Sequence, residues 1–291
     1  MTKFLLFTFI TLSTLISYPQ NLQENENTLT LFPDGLNFLP LRASSQEAKL
    51  GILYYPNSTN LKVDIGNSID LLKINMQEKE YLTVGIEFMA YAYSMSFSQY
   101  RLQIGTLDGF FGGNAAYTHE FLNNRFSTRL RYIHNSAHLV DGYYNNSINS
   151  WLNGKTPMPF TRDFAEVIFS DEYSFSDYAI RPYIGGSYAA RIRPSILKKE
   201  TFLTGIEAHT GLGTQTSKPP LYHFFIAYNF QLAGLPAYLG SSQFQAGIKF
   251  GEWQKKGINF YISYFKGNNM FNEFYYERIE RFGVGFSVDF P

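Results

Sequence analysis

The chain has 291 residues, and its 24 Lys and Arg residues balance 24 Asp and Glu residues, so the formal net charge at pH 7 is zero. Without a basic block, this charge balance argues against nucleic acid as a partner, and the absence of Cys excludes disulfide bonds and thiol chemistry. Aromatic residues make up 18% of the chain, with 22 Tyr and 28 Phe, which is typical of the aromatic girdles of membrane-spanning barrels.

The N-terminal residues have the pattern of a secretory signal peptide. Lys3 precedes an apolar run from Phe4 to Ile16, and roughly 13 apolar residues are too few for a membrane-spanning helix. We therefore predict a cleaved signal peptide over residues 1–19. Residues 20–45 are polar at first and then punctuated by proline, which predicts either a periplasmic N-terminal segment or a short plug.

The rest of the chain alternates between strands and turns. No later run reaches the ~18 apolar residues that a membrane-spanning helix needs, so a membrane location requires strands. Alternating polarity between turn residues predicts strands near 46–55, 60–74, 81–95, 109–121, 125–138, 160–172, 178–193, 201–211, 221–233, 242–253, 258–266 and 276–290. We predict an all-β fold: a transmembrane antiparallel β-barrel of about twelve strands over residues 46–291.

The lengths of the connections predict how the barrel is oriented. The connections at 77–80, 122–124, 174–177 and 255–257 are short, as periplasmic turns are. The connection at 139–159 is the longest and is rich in Asn and Gly. This pattern places 139–159 outside the cell and both chain ends in the periplasm, so the fifth predicted strand runs outward.

Charged residues on several predicted strands lie opposite the large apolar residues. We expect the charged face to point into the lumen, because the apolar face meets lipid. The expected luminal cations are Lys62, Arg129, Arg131, Arg181, Arg191, Arg193 and Lys249, and the expected anions include Asp64, Glu87, Glu166 and Glu207. Ion pairs between these two sets would fill a narrow lumen, and a selective pore is the alternative.

The fifth predicted strand carries the pattern that points to chemistry. If Arg129 and Arg131 face the lumen, then His134, Ser136 and His138 face lipid, where polar groups without a partner are costly. Residues two apart on a strand lie roughly 6.5–7 Å apart, a distance that an imidazole side chain can bridge. A hydroxyl beside an imidazole is the arrangement that acyl transfer requires, with the serine as nucleophile and the histidine as general base.

A third group must hold the ring of such a base. Thr161 and Asp163, at the start of the next strand, can reach it, and Asp141 is a weaker candidate. Two alternatives stay open: the polar residues are wet surface among lipid head groups, or a bulge near Asn135 turns them into the lumen. The two histidines of the fifth strand lie about 13 Å apart when extended, too far to share one metal ion.

Two stretches of the chain also resemble a known family. The first runs Leu31-Phe-Pro-Asp-Gly-Leu-Asn-Phe-Leu-Pro-Leu-Arg-Ala-Ser, and the second runs Arg129-Leu-Arg-Tyr-Ile-His-Asn-Ser-Ala-His-Leu-Val-Asp141. They are similar to the bacterial family catalogued as domain of unknown function 1207, whose members carry a similar Arg-x-Arg-x-x-His-x-Ser-x-His segment. The resemblance implies a barrel in the outer membrane of a Gram-negative (diderm) bacterium, with no established activity.

The His-x-Ser pair and the chain end Arg281-Phe-Gly-Val-Gly-Phe also resemble outer-membrane phospholipase A. This resemblance implies a twelve-stranded barrel whose lipid-facing strand carries His134 as base and Ser136 as nucleophile. Thr161 stands where that enzyme has an Asn, and His138 falls among residues that differ from the enzyme's. A cation often helps to form the oxyanion hole in related chemistry, so Ca²⁺ is the candidate cofactor.

These observations favour a phospholipase A-like acyl hydrolase that acts on outer-membrane lipid. Its candidate catalytic residues are Ser136, His134, His138, Thr161 and Asp163. The alternatives are a passive channel or small-solute transporter, and a structural or adhesive surface barrel without enzymatic activity. We expect the C-terminal strand to engage the barrel-assembly machinery, and a homodimer is left open.

Overall fold

A computed structural model describes residues 28–97, 101–140, 143–151, 154, 158–176, 178–212 and 220–290. The predicted signal peptide, the following residues 20–27 and the candidate Asp141 lie outside the described residues. Within the described part of the chain, no helix is long and apolar enough to cross a membrane.

The described residues form strands with few other regular elements. Three strands are short: β1 (Leu29–Leu31), β7 (Tyr144–Asn145) and β8 (Ser150–Trp151). The twelve longer ones are β2 (Leu50–Tyr55), β3 (Asn60–Gln77), β4 (Glu80–Phe97), β5 (Arg101–Glu120), β6 (Asn124–Leu139), β9 (Phe160–Ser174), β10 (Tyr178–Arg193), β11 (Glu200–Leu212), β12 (Tyr222–Gly234), β13 (Tyr238–Phe250), β14 (Gly257–Asn268) and β15 (Arg278–Asp289).

The twelve longer strands close into one antiparallel barrel. Each pairs with the next one along the chain, with β6 pairing directly to β9, and β15 pairs back onto β2. Closure leaves no free edge in the ring of strands, which removes the unpaired backbone groups that lipid cannot satisfy. The predicted all-β fold with twelve antiparallel strands is confirmed, and each predicted strand overlaps an observed one.

The barrel has two ends that differ in what they carry. We call the end where β2 begins and β15 finishes the terminal end. The opposite end, which we call the loop end, carries the connections 56–59, 194–199, 235–237 and 269–277 and the described residues of 140–159. Strand β6 runs toward the loop end, so its last residues lie beside the long connection 140–159.

Alternation along the strands separates a luminal face from an outward face. On β4, Glu87, Met89 and Tyr91 are buried, whereas Ile86 and Phe88, which alternate with them, are exposed. The exposed set over the whole barrel consists largely of Ile, Leu, Val, Phe and Tyr side chains. A sheet that is apolar outside and polar inside is the arrangement of a barrel surrounded by lipid.

Residues 33–49, which we call the luminal segment, lie inside the barrel. Phe38 is buried, and the guanidinium carbon of Arg129 lies 4.7 Å from the centre of its ring. Arg181 donates from Nη1 to the carbonyl oxygen of Leu39 at 3.1 Å. Because 46–49 belong to this segment, the first barrel strand begins at Leu50 and not at the predicted residue 46.

A buried carboxylate ties the luminal segment to the barrel wall. Glu47, only 1% exposed, accepts hydrogen bonds from Nη1 and Nη2 of Arg129 at 2.8 and 2.6 Å. Burial by itself would raise the pKa of the Glu47 carboxyl, but the guanidinium groups of Arg129 and Arg131 lower it to about 2. The luminal segment is therefore held by a charged, doubly hydrogen-bonded pair.

Further ion pairs occupy the lumen, as the sequence predicted. Arg131 contacts Glu166 at 2.7 Å and Glu87 at 3.2 Å. Arg181 contacts Glu207 at 2.5 Å. Each partner is almost completely buried, so the charges stabilise the fold only because they are paired and hydrogen-bonded.

At the loop end, the connection 269–277 folds inward over the lumen. Phe271 is 1% exposed and packs against the ring of Tyr91 with centroids 5.5 Å apart. The side-chain amide of Asn272 donates to Asp108 at 2.7 Å and to the side chain of Asn135 at 3.2 Å. One cavity beside the luminal segment has a volume of about 60 Å³, with room for only a few water molecules. A larger one, of about 890 Å³, lies beside residues 33–37 at the terminal end.

The expected luminal position of Arg191 and Arg193 is wrong. The pairing of β10 with β9 shifts by one residue between Ala189 and Arg191, which is a β-bulge. Beyond the bulge, both arginines are exposed on the outward face and Ile192 points into the core instead. One extra residue inverts the faces because side chains alternate with a period of two.

The Glu47–Arg129 pair should be needed for stability. Replacing Glu47→Gln removes the closer of the two carboxylates beside the buried Arg129 guanidinium and leaves Glu166 at the longer distance of 3.4 Å. We expect a loss of about 3 kcal/mol in the free energy of unfolding. Urea titration of the refolded barrel, monitored by tryptophan fluorescence, measures this free energy of unfolding. The matched control is Glu252→Gln, whose pair with Lys255 at 2.8 Å is largely exposed and whose loss should cost at most about 1 kcal/mol. Equal losses in both variants would contradict the structural role of Glu47.

The filled lumen predicts that the protein does not conduct ions. The luminal segment and the connection 269–277 should leave no water-filled path, so the purified barrel should give no conductance steps in a planar lipid bilayer. An open porin serves as the positive control in the same bilayer. Stable, reproducible steps from the full chain would show that one of these two segments leaves the lumen.

Candidate functional site

Three neighbouring strands, β6, β9 and β10, carry a polar patch on the outward face near the loop end. Strand β6 keeps an unbroken register with both neighbours, from Arg125 through Ala137. Asn135 is therefore fully buried in the lumen, and His134 and Ser136 on either side of it face outward. The alternative of a bulge near Asn135 is not what the structure shows.

Cross-strand pairing arranges the patch in two rows. Ser136 lies opposite Thr161 on β9, and Thr161 lies opposite Arg193 on β10. The second row, two residues away along each strand, consists of His134, Asp163 and Arg191. All six residues belong to the outward face, where the surrounding surface is apolar.

The ring of His134 is held from two sides. Its Nδ1 atom lies 2.6 Å from Oδ1 of Asp163, a hydrogen-bond distance. The ring of Phe111, directly across on β5, packs against the imidazole with centroids 4.9 Å apart. Of the two residues predicted to orient this ring, Asp163 is the one that contacts it, and its side chain is 20% exposed against 35% for His134.

Ser136 has an imidazole on each side along the strand. Its hydroxyl lies 3.3 Å from Nε2 of His138, two residues further along the strand. His134 lies two residues before Ser136 on the same face. A serine side chain passes between staggered rotamers about one bond, so its hydroxyl can turn from one ring toward the other. The predicted residues are thus brought together on one face, with His138 in contact with Ser136 and Asp163 in contact with His134.

This arrangement contains the three groups of an acyl-transfer site. A carboxylate that accepts a hydrogen bond from Nδ1 fixes the tautomer of the ring and stabilises the imidazolium that forms when Nε2 takes a proton. A threonine can orient a ring but cannot stabilise its cation in this way. The carboxylate makes His134 a stronger base candidate than its sequence position alone indicates.

The residues of the patch do not fit Ca²⁺. Calcium takes six to eight oxygen ligands, several of them carboxylates, and Asp163 is the carboxylate of the two rows. Its Oδ1 is engaged by His134, and its Oδ2 lies 4.0 Å from Nη1 of Arg191. In the described part of the chain, no three His, Cys, Asp or Glu residues are grouped so as to hold a metal ion.

Arg191 and Arg193 are members of the patch that the sequence did not place there. Alternation assigned them to the lumen, because the bulge that reverses their direction lies at two consecutive alanines, Ala189 and Ala190. Small apolar residues suit either face, so the alternation carries no signal at this point. Only the pairing with Asp163 and Thr161 on β9 reveals the outward direction.

Solved structures of similar fold are outer-membrane barrels. Outer membrane phospholipase A from Escherichia coli aligns with a TM-score of 0.52 at 10% identity, over 83% of this chain and 92% of that chain. An active-site mutant of the same enzyme gives 0.51 at 12% identity, over 92% of this chain and 95% of that chain. The toluene transporter TodX of Pseudomonas putida aligns with a TM-score of 0.43 at 10% identity, over 79% of this chain and 69% of that chain. At 10–12% identity, the likeness to the phospholipase concerns the fold alone.

Sequence comparison gives the family. No curated protein matches the chain. The family described as "Protein of unknown function (DUF1207)" matches residues 29–290, which confirms the resemblance found in the sequence. The chain therefore belongs to the DUF1207 family, and its fold is that of an outer-membrane β-barrel.

Proposed function

We propose that this protein is a lipid-facing acyl hydrolase, which cleaves the ester bond of a phospholipid in the outer leaflet of the outer membrane. The observation that carries the proposal is the 2.6 Å contact between Asp163 and His134 beside Ser136, on the outward face of the barrel. A carboxylate and an imidazole next to a hydroxyl on a lipid-facing surface have a desolvation cost, which a catalytic role would explain.

In the proposed reaction, Ser136 is the nucleophile. Its Oγ attacks the carbonyl carbon of the ester while Nε2 of His134 takes the hydroxyl proton. The C–O bond to glycerol then breaks, and His134 gives its proton to the departing glycerol oxygen. Water attacks the acyl–serine ester in the same way, which releases the fatty acid and restores Ser136. Asp163 holds the ring throughout, and Thr161 offers a neighbouring hydroxyl to the developing oxyanion.

The level of the patch in the membrane supports a lipid substrate. His134, Ser136 and His138 are near the last residues of β6, at the loop end of the barrel. With both chain ends on the periplasmic side, as in outer-membrane barrels, this end is extracellular and the patch lies among the head groups of the outer leaflet. A channel function has less support, because the luminal segment and the connection 269–277 fill the lumen.

Ser136→Ala should abolish hydrolysis. Loss of the nucleophile should lower the rate of fatty-acid release from mixed phospholipid micelles by at least about 10³-fold. The matched control is Ser242→Ala, another outward-facing serine near the loop end, which contacts Tyr228 at 3.0 Å. Full activity is expected in the control. No release from the folded wild-type barrel, or equal release from wild type and Ser136→Ala, would overturn the proposed function.

The base is assigned by comparing the two histidines. His134→Gln and Asp163→Asn should each lower the rate by roughly 10²–10⁴-fold, because the first removes the base and the second removes the group that orients it. His138→Gln should change the rate by less than about tenfold. If His138→Gln abolishes activity while His134→Gln retains it, the base is His138 and Asp163 has no part in the reaction.

A further inference from the structure

The β-bulge in β10 places two arginines next to the proposed catalytic residues. Arg193 shares a cross-strand row with Thr161 and Ser136, and Arg191 shares the neighbouring row with Asp163 and His134. Strands in a sheet are about 4.8 Å apart, so each arginine Cα lies roughly 10 Å from the Cα of Ser136 or His134 in its row. An extended arginine side chain covers much of that distance.

These arginines line an open groove on the outward face. The groove has a volume of about 580 Å³, and the charged and polar residues that line it include His134, Thr161, Asp163, Arg191, Arg193 and Lys199. Among these lining residues, three cations face a single carboxylate. That carboxylate already contacts His134 at 2.6 Å, so the groove has an excess of positive charge.

The guanidinium group of Arg191 remains available to a ligand. Its contact with Asp163 is long, at 4.0 Å, and its side chain is 86% exposed. Such an exposed pair is weak. Arg193 and Lys199 are also exposed. Exposed cations on a sheet face that otherwise meets lipid are costly unless they lie at the head-group level and find anionic partners there.

We propose that Arg191, Arg193 and Lys199 bind the phosphate and head group of an anionic glycerophospholipid. Guanidinium groups match phosphate oxygens through paired hydrogen bonds, and the excess positive charge disfavours a head group that carries its own ammonium. That the bound lipid presents its ester to Ser136 rests on the proposed function, whereas the binding itself does not. The bulge thus selects the substrate by turning two arginines from the lumen to the lipid face.

The first test measures binding without catalysis. The Ser136→Ala protein is reconstituted in phosphatidylcholine bilayers that contain spin-labelled phosphatidylglycerol or spin-labelled phosphatidylcholine, and electron paramagnetic resonance gives the immobilised fraction of each probe. Selectivity for phosphatidylglycerol is expected, and Arg191→Gln and Arg193→Gln should each lower it roughly fivefold. Lys266→Gln is the matched control, because Lys266 is an exposed outward-facing cation near the loop end, paired with Glu280 at 2.8 Å. The control should keep the selectivity.

The second test measures hydrolysis of the same two lipids by proteins with an intact Ser136. The double variant Arg191→Gln/Arg193→Gln should raise KM for phosphatidylglycerol more than tenfold and leave kcat within about threefold. Absence of hydrolysis in the wild type, together with arginine-dependent selectivity in the binding test, would reject the hydrolase and uphold the head-group site. Equal binding of both probes by the wild type, or selectivity that survives in the arginine variants, would overturn the head-group site whether or not hydrolysis occurs.

Discussion

The register of β6 between β5 and β9 is the constraint on which the candidate site depends. Side chains alternate with a period of two, so a shift of one residue would send His134 and Ser136 into the lumen and bring Asn135 out to lipid. The lumen opposes such a shift from the other side. Arg129 and Arg131, on the same strand, are engaged with Glu47, Glu87 and Glu166, and all these pairs would break together. The buried ion pairs therefore fix the direction of the lipid-facing residues, because one strand carries both sets and has one register.

Much of this architecture could be predicted from the sequence, because barrel strands are local patterns. Alternation indicated all twelve strands, the luminal charges other than Arg191 and Arg193, and the outward direction of His134 and Ser136, and closure required only an even count. The choice of Asp163 over Thr161 as the partner of His134 could not be predicted, since it depends on which residues of β9 stand opposite β6. The inward fold of 269–277 likewise depends on contacts with Asp108 and Asn135, far away in the sequence.

The interior of the barrel supports the structure, whereas the outward face carries the candidate site. The lumen holds ion pairs, the luminal segment and an inward-folded connection, so it resembles the core of a soluble protein more than a conduit. Buried ion pairs and a buried apolar cluster connect the strands from inside, and the strands form a rigid support. A site built on such strands keeps its geometry better than one built on mobile loops. The chemistry proposed for this protein thus takes place on the outward face of the barrel, while the lumen holds the structure together.

The bulge at Ala189 and Ala190 has a consequence for how such a surface can arise. Insertion or deletion of one residue is a small genetic event, yet beyond that point it exchanges the two faces of a strand. Ile192 and its flanking arginines exchange environments as a set, with no substitution in any of them. A barrel lineage can therefore gain or lose a cationic lipid-facing surface in one step, and relatives with nearly the same residues in this strand can differ in which lipids they attract.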